Sequence, residues 1–261
     1  MRPTQPIELA GARCLVTGAS SGIGRATALA LRRAGAVVAV TGRDPDALAE
    51  VAAGAGGPAI VRDLTEPGGP AAVVKEAVAA LGRLDVLVSN AGAGWAGPIA
   101  AMGTADVDAM IDLNLRAPIQ LTQAALIEMS THRRGHLVFV GSIAGQVGAP
   151  GEAVYSATKA GLLTWTEMLR AEMVPLNIGV SLVSPGVVDT PFFARRNHPY
   201  GRRFPKPISA DRVADTIVRC LRRGTSEAIV PRWLVLPARL HGGFPAMYAA
   251  LAQRLAPDAV P

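Results

Sequence analysis

With 261 residues, half of them hydrophobic, and a mean hydropathy of +0.30, the chain has enough apolar material for one large α/β domain or two small ones. Alanine, valine, leucine and glycine dominate and aromatics make up 4%, which favours closely packed helices on β-branched strands over an all-β sandwich. A net charge of +6 and a pI of about 10 would suit a nucleic-acid partner, but the excess is confined to residues 187–208 (five basic residues to one acid) and 232–261 (three arginines to one aspartate), so no general basic face remains for one.

The first residues, M-R-P-T-Q-P-I-E-L-A, hold no long apolar run, so neither a signal peptide nor a membrane anchor is expected there and the location is read as cytoplasmic. Cys14 and Cys220 lie in apolar segments without metal spacing and read as free, buried thiols. Ala12–Val16 reads as a strand and Ile23–Ala34 as a helix. Val37–Thr41, Ala59–Arg62, Val86–Ser89, Leu137–Val140 and Val180–Val183 read as further strands, each followed by a stretch of helical length. The Gly/Pro cluster Gly54–Pro58 reads as a turn within one domain. Continuous apolar strands alternating with helices predict a parallel sheet covered on both faces. Right-handed crossovers make it an α/β, doubly wound, Rossmann-like single domain spanning 1–261. Residues 187–208 break the rhythm as a basic, aromatic, proline-containing loop. A helix at Ala210–Arg222 and a strand at Ala228–Val230 restore it. From Arg232 the tail is apolar but broken by Pro237, Gly242, Gly243 and Pro245, leaving no uninterrupted run of the ~20 residues that a bilayer needs.

Two motifs carry chemistry. In Thr17-Gly18-Ala19-Ser20-Ser21-Gly22-Ile23-Gly24 the glycines sit where the first strand gives way to a helix, so backbone N–H groups and the helix N-terminus can meet phosphate oxygens. In Y-S-A-T-K, Tyr155 and Lys159 are one helical turn apart on one face if Glu152–Met173 is a helix. An ammonium there is expected to pull the phenol from ~10 toward neutrality, making it a working acid/base. Ser142, after a strand, can hold a substrate oxygen. Asn114 lies mid-helix, an unfavourable place for asparagine. His132 and His136, four apart in T-H-R-R-G-H, have no third ligand nearby and read as a solvated helix end. Asp106, Asp108 and Asp112 read as a solvated face, Met102, Met110, Met129 and Met168 as fillers, and no metal is expected.

The spacing G-x-x-x-G-x-G resembles the short-chain dehydrogenase/reductase family. The resemblance extends over roughly residues 10–231 through Asp63 in R-D-L-T, S-N-A-G at 89–92, Asn114 in D-L-N-L, Ser142, Tyr155, Lys159 and P-G-V-V-D-T at 185–190. It implies hydride transfer between a nicotinamide cofactor and a ketone or secondary alcohol, with Asn114, Ser142, Tyr155 and Lys159 as the catalytic set. Asn114 would kink its helix and hold a water leading to Lys159. The resemblance implies a cofactor bound by Gly18, Ser20, Ser21, Gly22, Ile23, Gly24, Arg43, Asp63, Leu64, Asn90, Ala91, Gly92, Tyr155, Lys159, Pro185, Gly186, Val188 and Thr190, with Asp63 on the adenine and Thr190 on the carboxamide. Gly42 occupies the place where NAD-preferring members carry an acid, and Arg43 can pair with a 2′-phosphate, so NADP(H) is favoured over NAD(H). Arg25 reads as a helix-surface residue.

The resemblance leaves the substrate open between a lipophilic ketone or alcohol and a 3-oxoacyl thioester on acyl carrier protein or coenzyme A. The apolar extension after A-I-V-P-R-W-L departs from the compact, glycine-rich ending of many thioester reductases. A non-catalytic NADP-binding redox sensor would not need the Ser142, Tyr155 and Lys159 set. Sugar epimerases of the extended branch have a shorter first glycine gap. Phe192, Phe193 and Phe204 could line an apolar pocket, and Arg195, Arg196, Arg202, Arg203 and Lys206 could meet an anionic tail or form a solvated flap. The tail from Trp233 to Leu251 could close over the site, pack on another subunit or touch a membrane surface. A homo-oligomer, dimer or tetramer, is implied by the family.

Overall fold

The computed structural model describes residues 4–196 and 205–244, with Ala246 and Tyr248. In chain order the elements are β1 (Arg13–Thr17), α1 (Gly22–Arg33), β2 (Val37–Gly42), α2 (Pro45–Ala55), β3 (Gly56–Val61), α3 (Gly69–Leu81) and β4 (Val86–Ser89). They continue with α4 (Thr104–Ile111), α5 (Ala117–His132), β5 (Gly135–Val140), α6 (Ala144–Val147), α7 (Ala153–Met173) and β6 (Ile178–Pro185). β7 (Val188–Asp189), α8 (Phe192–Arg195), β8 (Ile208–Ser209), α9 (Ala210–Arg223), β9 (Glu227–Val230) and α10 (Val235–Gly243) complete them.

Seven parallel strands form one sheet in the order β3-β2-β1-β4-β5-β6-β9. Alternation along each strand sorts side chains to two faces. In β1, Cys14 and Val16 enter a layer with Leu31 of α1, Leu48 of α2 and Val213, Ile217 and Leu221 of α9. Leu15 enters the opposite layer with Val73 of α3, Leu121 of α5, Phe139 of β5 and Leu162 of α7. Each fully buried leucine contributes roughly 1.5–3 kcal/mol, so the two layers hold the sheet in place from both sides. The strand order reverses between β1 and β4, which opens a crevice at the carboxyl ends of the strands.

Local chemistry sets several boundaries. The Asp44 carboxylate accepts from Ala47 N–H at 3.1 Å and Pro45 begins α2, while Gly56, left-handed at φ 73°, stops it. Because that single residue both ends the helix and begins β3, the turn expected over Gly54–Pro58 is absent and the strand starts earlier than Ala59. Ser209 caps α9 by accepting from Arg212 N–H at 3.3 Å.

Two other expectations, for His136 and Pro237, are corrected. α5 ends at His132 with Arg133 left-handed at φ 46°, so His136 belongs to β5, is fully buried and has Nε2 2.8 Å from Ser181 Oγ; burial pushes it down to about 4. The residues around Asn114 depart from the α-helical pattern, with a π-helical turn over Asp112–Arg116 joining α4 to α5. Pro237 does not break the tail, because it lies in the first turn of α10, where its missing N–H costs no helical bond. Residues 187–208 are structured at both ends: β7 pairs with β8, and α8 follows β7. Phe204, Arg202, Arg203 and the tail beyond Tyr248 lie outside the described residues. No helix among the described residues is long and apolar enough to cross a membrane.

Candidate active site

The glycine turn sits at the carboxyl end of β1 and opens α1. Gly18 is left-handed at φ 63°, and a Cβ added there would lie 2.8 Å from Ala91 Cα; one added at Gly24 would lie 2.2 Å from the Gly18 carbonyl oxygen. Neither position can carry a side chain, so the turn folds tightly and directs the first N–H groups of α1 outward, a cradle that fits a diphosphate. Asn90 at the end of β4 pins it. Its side-chain amide donates to Thr17 O at 2.8 Å and Gly18 O at 3.2 Å, and the N–H groups of Asn90 and Ala91 donate to Thr17 Oγ1 at 2.9 and 3.0 Å.

At the outer end, Gly42 closes β2. A Cβ there would meet Leu48 and Ser20 Oγ at an ordinary 3.6 Å, so packing around the backbone does not demand glycine. Arg43 is exposed, its Nη1 3.6 Å from Asp63 Oδ2. Partial burial pushes the Asp63 carboxyl up, but Thr65 N–H at 2.9 Å, Thr65 Oγ1 at 2.8 Å and the Arg43 guanidinium outweigh it and hold the carboxyl below its ordinary value. Leu64 is buried beside it. Arg43, Val61, Arg62, Asp63 and Glu66 line an open pocket of about 390 Å³.

At the inner end, α7 begins at Ala153 and carries Tyr155 and Lys159 on one buried face. Ser142, on the turn after β5, lies close enough to favour the Tyr155 phenolate, and its Oγ accepts from Ala144 N–H at 3.2 Å. The Lys159 ammonium donates to Val140 O at 3.1 Å and lies 5.9 Å from the Tyr155 ring centroid. Burial lowers Lys159 from 10.5 to about 8. The phenol does not move toward neutrality as expected. Burial pushes it up to about 12, Ser142 opposes this, Glu152 adds to it and Arg196 opposes it. Desolvation of the phenolate outweighs its stabilisation by nearby groups.

Asn114 is fully buried. Its Oδ1 accepts from Ala93 N–H at 2.9 Å, and its Nδ2 donates to Ala93 O at 2.9 Å and Thr158 Oγ1 at 3.1 Å. Gly92 lets it approach Lys159: a Cβ there would lie 3.1 Å from Asn114 Oδ1 and 3.6 Å from Lys159 Nζ. After β6, Pro185 O accepts from Ile143 N–H at 2.9 Å and Gly186 N–H donates to Val230 O at 2.7 Å, so the Ser142 turn and the chain leading to Val188 and Thr190 are tied together. The Thr190 methyl group closes against Gly22. The glycine turn, Arg43, Asp63, Asn90, Ser142 and Pro185 therefore stand at or just after the carboxyl ends of β1 to β6, with the Lys159 ammonium on the end of β5 and Asn114 fully buried against Ala93.

The wall beside Tyr155 is apolar, built from Met110, Ala144, Trp95, Met102, Ala149, Val154 and Phe192. The Phe192 ring lies 5.7 Å from that of Tyr155, and a Cβ on Gly94 would fall 2.5 Å from it. Sequence reasoning missed Thr17, Thr158, Trp95 and Glu152. Thr17 stood inside the glycine motif, but its role appears only when β4 is set beside β1. Arg196, read as a candidate for an anionic tail, is instead buried and paired with Glu152 at 2.6 Å. Arg195 Nη1 reaches Ser21 Oγ at 3.3 Å, and Arg25 pairs with Glu50 on the helix surface.

Known proteins share the sequence pattern and the fold. The sequence pattern described as short chain dehydrogenase matches residues 12–201. An uncharacterized short-chain type dehydrogenase/reductase of Sinorhizobium fredii is 40% identical over 193 residues, which cover 73% of each chain. The 3-oxoacyl-(acyl-carrier-protein) reductase of Thermotoga maritima is 37% identical over 71% of this chain and 77% of its own. A metagenomic short-chain oxidoreductase solved in complex with NADP is 35% identical, superposes with a TM-score of 0.72, and covers 86% of this chain and 98% of its own.

Proposed function

Because the chain belongs to the short-chain dehydrogenase/reductase family, we propose that it is an NADP(H)-dependent oxidoreductase that reduces a lipophilic ketone, or oxidises the corresponding secondary alcohol. The observation that carries the reading is Tyr155 one helical turn from Lys159 on the buried face of α7, with the Lys159 ammonium on the end of β5 and Ser142 on the turn that follows that strand. A nicotinamide held there would supply the hydride. Ser142 holds the substrate oxygen and polarises the carbonyl. Tyr155 donates the proton to that oxygen as negative charge develops on it. Held up at about 12, the phenol is fully protonated at neutral pH, the state that reduction requires. The Lys159 cation opposes the cost of the phenolate left behind, and Asn114 fixes the backbone beside it through Ala93. Gly42 and Arg43 together support NADP(H): the first leaves room for a 2′-phosphate, and the second offers a guanidinium to it.

The apolar wall of Trp95, Met102, Met110 and Phe192 supports a lipophilic substrate. A 3-oxoacyl thioester is the second reading, supported by the likeness to the Thermotoga maritima reductase. Consumption of NADPH and NADH against ketones of graded chain length, each compared with its carrier-bound 3-oxoacyl analogue, tests both. Faster turnover of the free ketone supports the first reading, and turnover confined to the carrier-bound form supports the second.

A further inference from the structure

Glu152 holds the N-cap position of α7, three residues before Tyr155, yet its carboxylate caps no helical N–H. It turns instead to Arg196, with Nη1 2.6 Å from Oε1 and the two side chains 7% and 17% exposed. Arg196 also lies 4.5 Å from the Phe193 ring centroid, where the guanidinium gains the attraction of the ring face. It ends a short strap, residues 191–196, whose neighbouring side chains span the site. Arg195 reaches Ser21 in the glycine turn, and Phe192 covers Tyr155 and presses on Gly94. The strap therefore touches the phosphate end, the proton donor and the start of the catalytic helix at once.

We infer that the Glu152–Arg196 pair is a positioning device that anchors the 191–196 strap over Tyr155 and so sets the charge beside the proton donor. The inference rests on the reductase reading for its kinetic arm. The charged groups near Tyr155 are Glu152 and Lys159 of α7 and Arg196 of the strap, while Ser142, Met110 and Phe192 surround it from the remaining elements as uncharged groups. Glu152 disfavours the phenolate and Arg196 favours it. Paired, the two charges neutralise each other. Without Arg196, the carboxylate would act alone and the phenol would hold its proton more tightly.

The test uses Glu152→Gln, Arg196→Gln and the double variant. In alcohol oxidation at saturating NADP, the rate rises with pH as Tyr155 ionises. Glu152→Gln should move that limb to lower pH and Arg196→Gln to higher pH, each by roughly one pH unit, with the double variant returning to the parent position. A second readout needs no substrate: tyrosinate absorbance near ~295 nm at about pH 10, taken as the difference from the same protein carrying Tyr155→Phe, should increase in Glu152→Gln and not in Arg196→Gln. If no alcohol or ketone turns over, the reductase reading fails while the absorbance arm still decides the charge effect. Removing both buried charges together avoids leaving one unpaired, so the double variant should fold even where a single variant does not. It should keep the parent pH limb and raise KM for the ketone roughly tenfold, because the strap loses its anchor. Limbs and tyrosinate fractions that stay put, or that move in the same direction in both single variants, overturn the inference, as does an unchanged KM in the double variant.

Discussion

The ammonium nitrogen of Lys159 lies 5.9 Å from the centroid of the Tyr155 ring, and both side chains are buried. Burial acts on the two groups in opposite directions, raising the phenol to about 12 and lowering the amine to about 8. Lys159 is therefore the first of the pair to lose its proton as pH rises. In ketone reduction kcat/KM should be level near neutral pH and fall along a one-proton limb centred near pH 8, as the cation that offsets the phenolate disappears. A pH–rate profile at saturating NADPH checks this; a rate unchanged well beyond that value would contradict it.

The same burial makes Lys159 costly to the fold. Its folded value lies below the ordinary 10.5, so the penalty is complete below about pH 8 and is released as pH rises toward 10.5, where the unfolded chain still binds the proton and the folded chain does not. Lys159→Met should abolish reduction yet stabilise the chain at neutral pH by roughly 1–3 kcal/mol. That gain should shrink through the same window, as urea denaturation at graded pH would show.

Cofactor choice should follow the two residues at the end of β2. Arg43→Ala should raise KM for NADPH about tenfold or more while leaving NADH nearly unchanged, the loss of a charge-assisted hydrogen bond. Gly42→Asp should fold, because a Cβ at that position makes only ordinary 3.6 Å contacts, and should reverse the preference toward NADH. Paired kinetics with the two cofactors measure both effects.

Asn114→Ala removes three hydrogen bonds at a fully buried position and strands the N–H and C=O of Ala93. It should destabilise the chain by about 2–4 kcal/mol. Part of the lost activity should return in a solvent of higher stabilising power, as equilibrium unfolding and activity with added osmolyte would show.

Legibility in the sequence followed the distance over which each feature is encoded. The glycine turn, the Tyr155–Lys159 spacing and the strands β1, β2 and β4 are local patterns, and each lies within a residue or two of its expected place. β3 was placed late because a glycine cluster reads as a turn, whereas Gly56 alone does the work of one. His136 reads as part of a solvated helix end because the left-handed Arg133 that stops α5 carries no sequence mark. The Glu152–Arg196 pair and the contact of Phe192 with Gly94 join residues 44 and 98 positions apart, which no periodicity reports. The direction of the Tyr155 shift was misjudged for a related reason: spacing shows the neighbouring amine, but desolvation depends on everything packed around the ring.

The most direct measurement is single-turnover reduction by the Tyr155→Phe variant with NADPH saturating. The variant loses the hydroxyl but keeps the ring that packs against Phe192, so NADPH affinity by fluorescence titration should stay within about twofold of the parent while the rate falls by a factor of ~10²–10⁴. A variant that binds NADPH as tightly as the parent and reduces ketone at the parent rate would show that the proton comes from elsewhere.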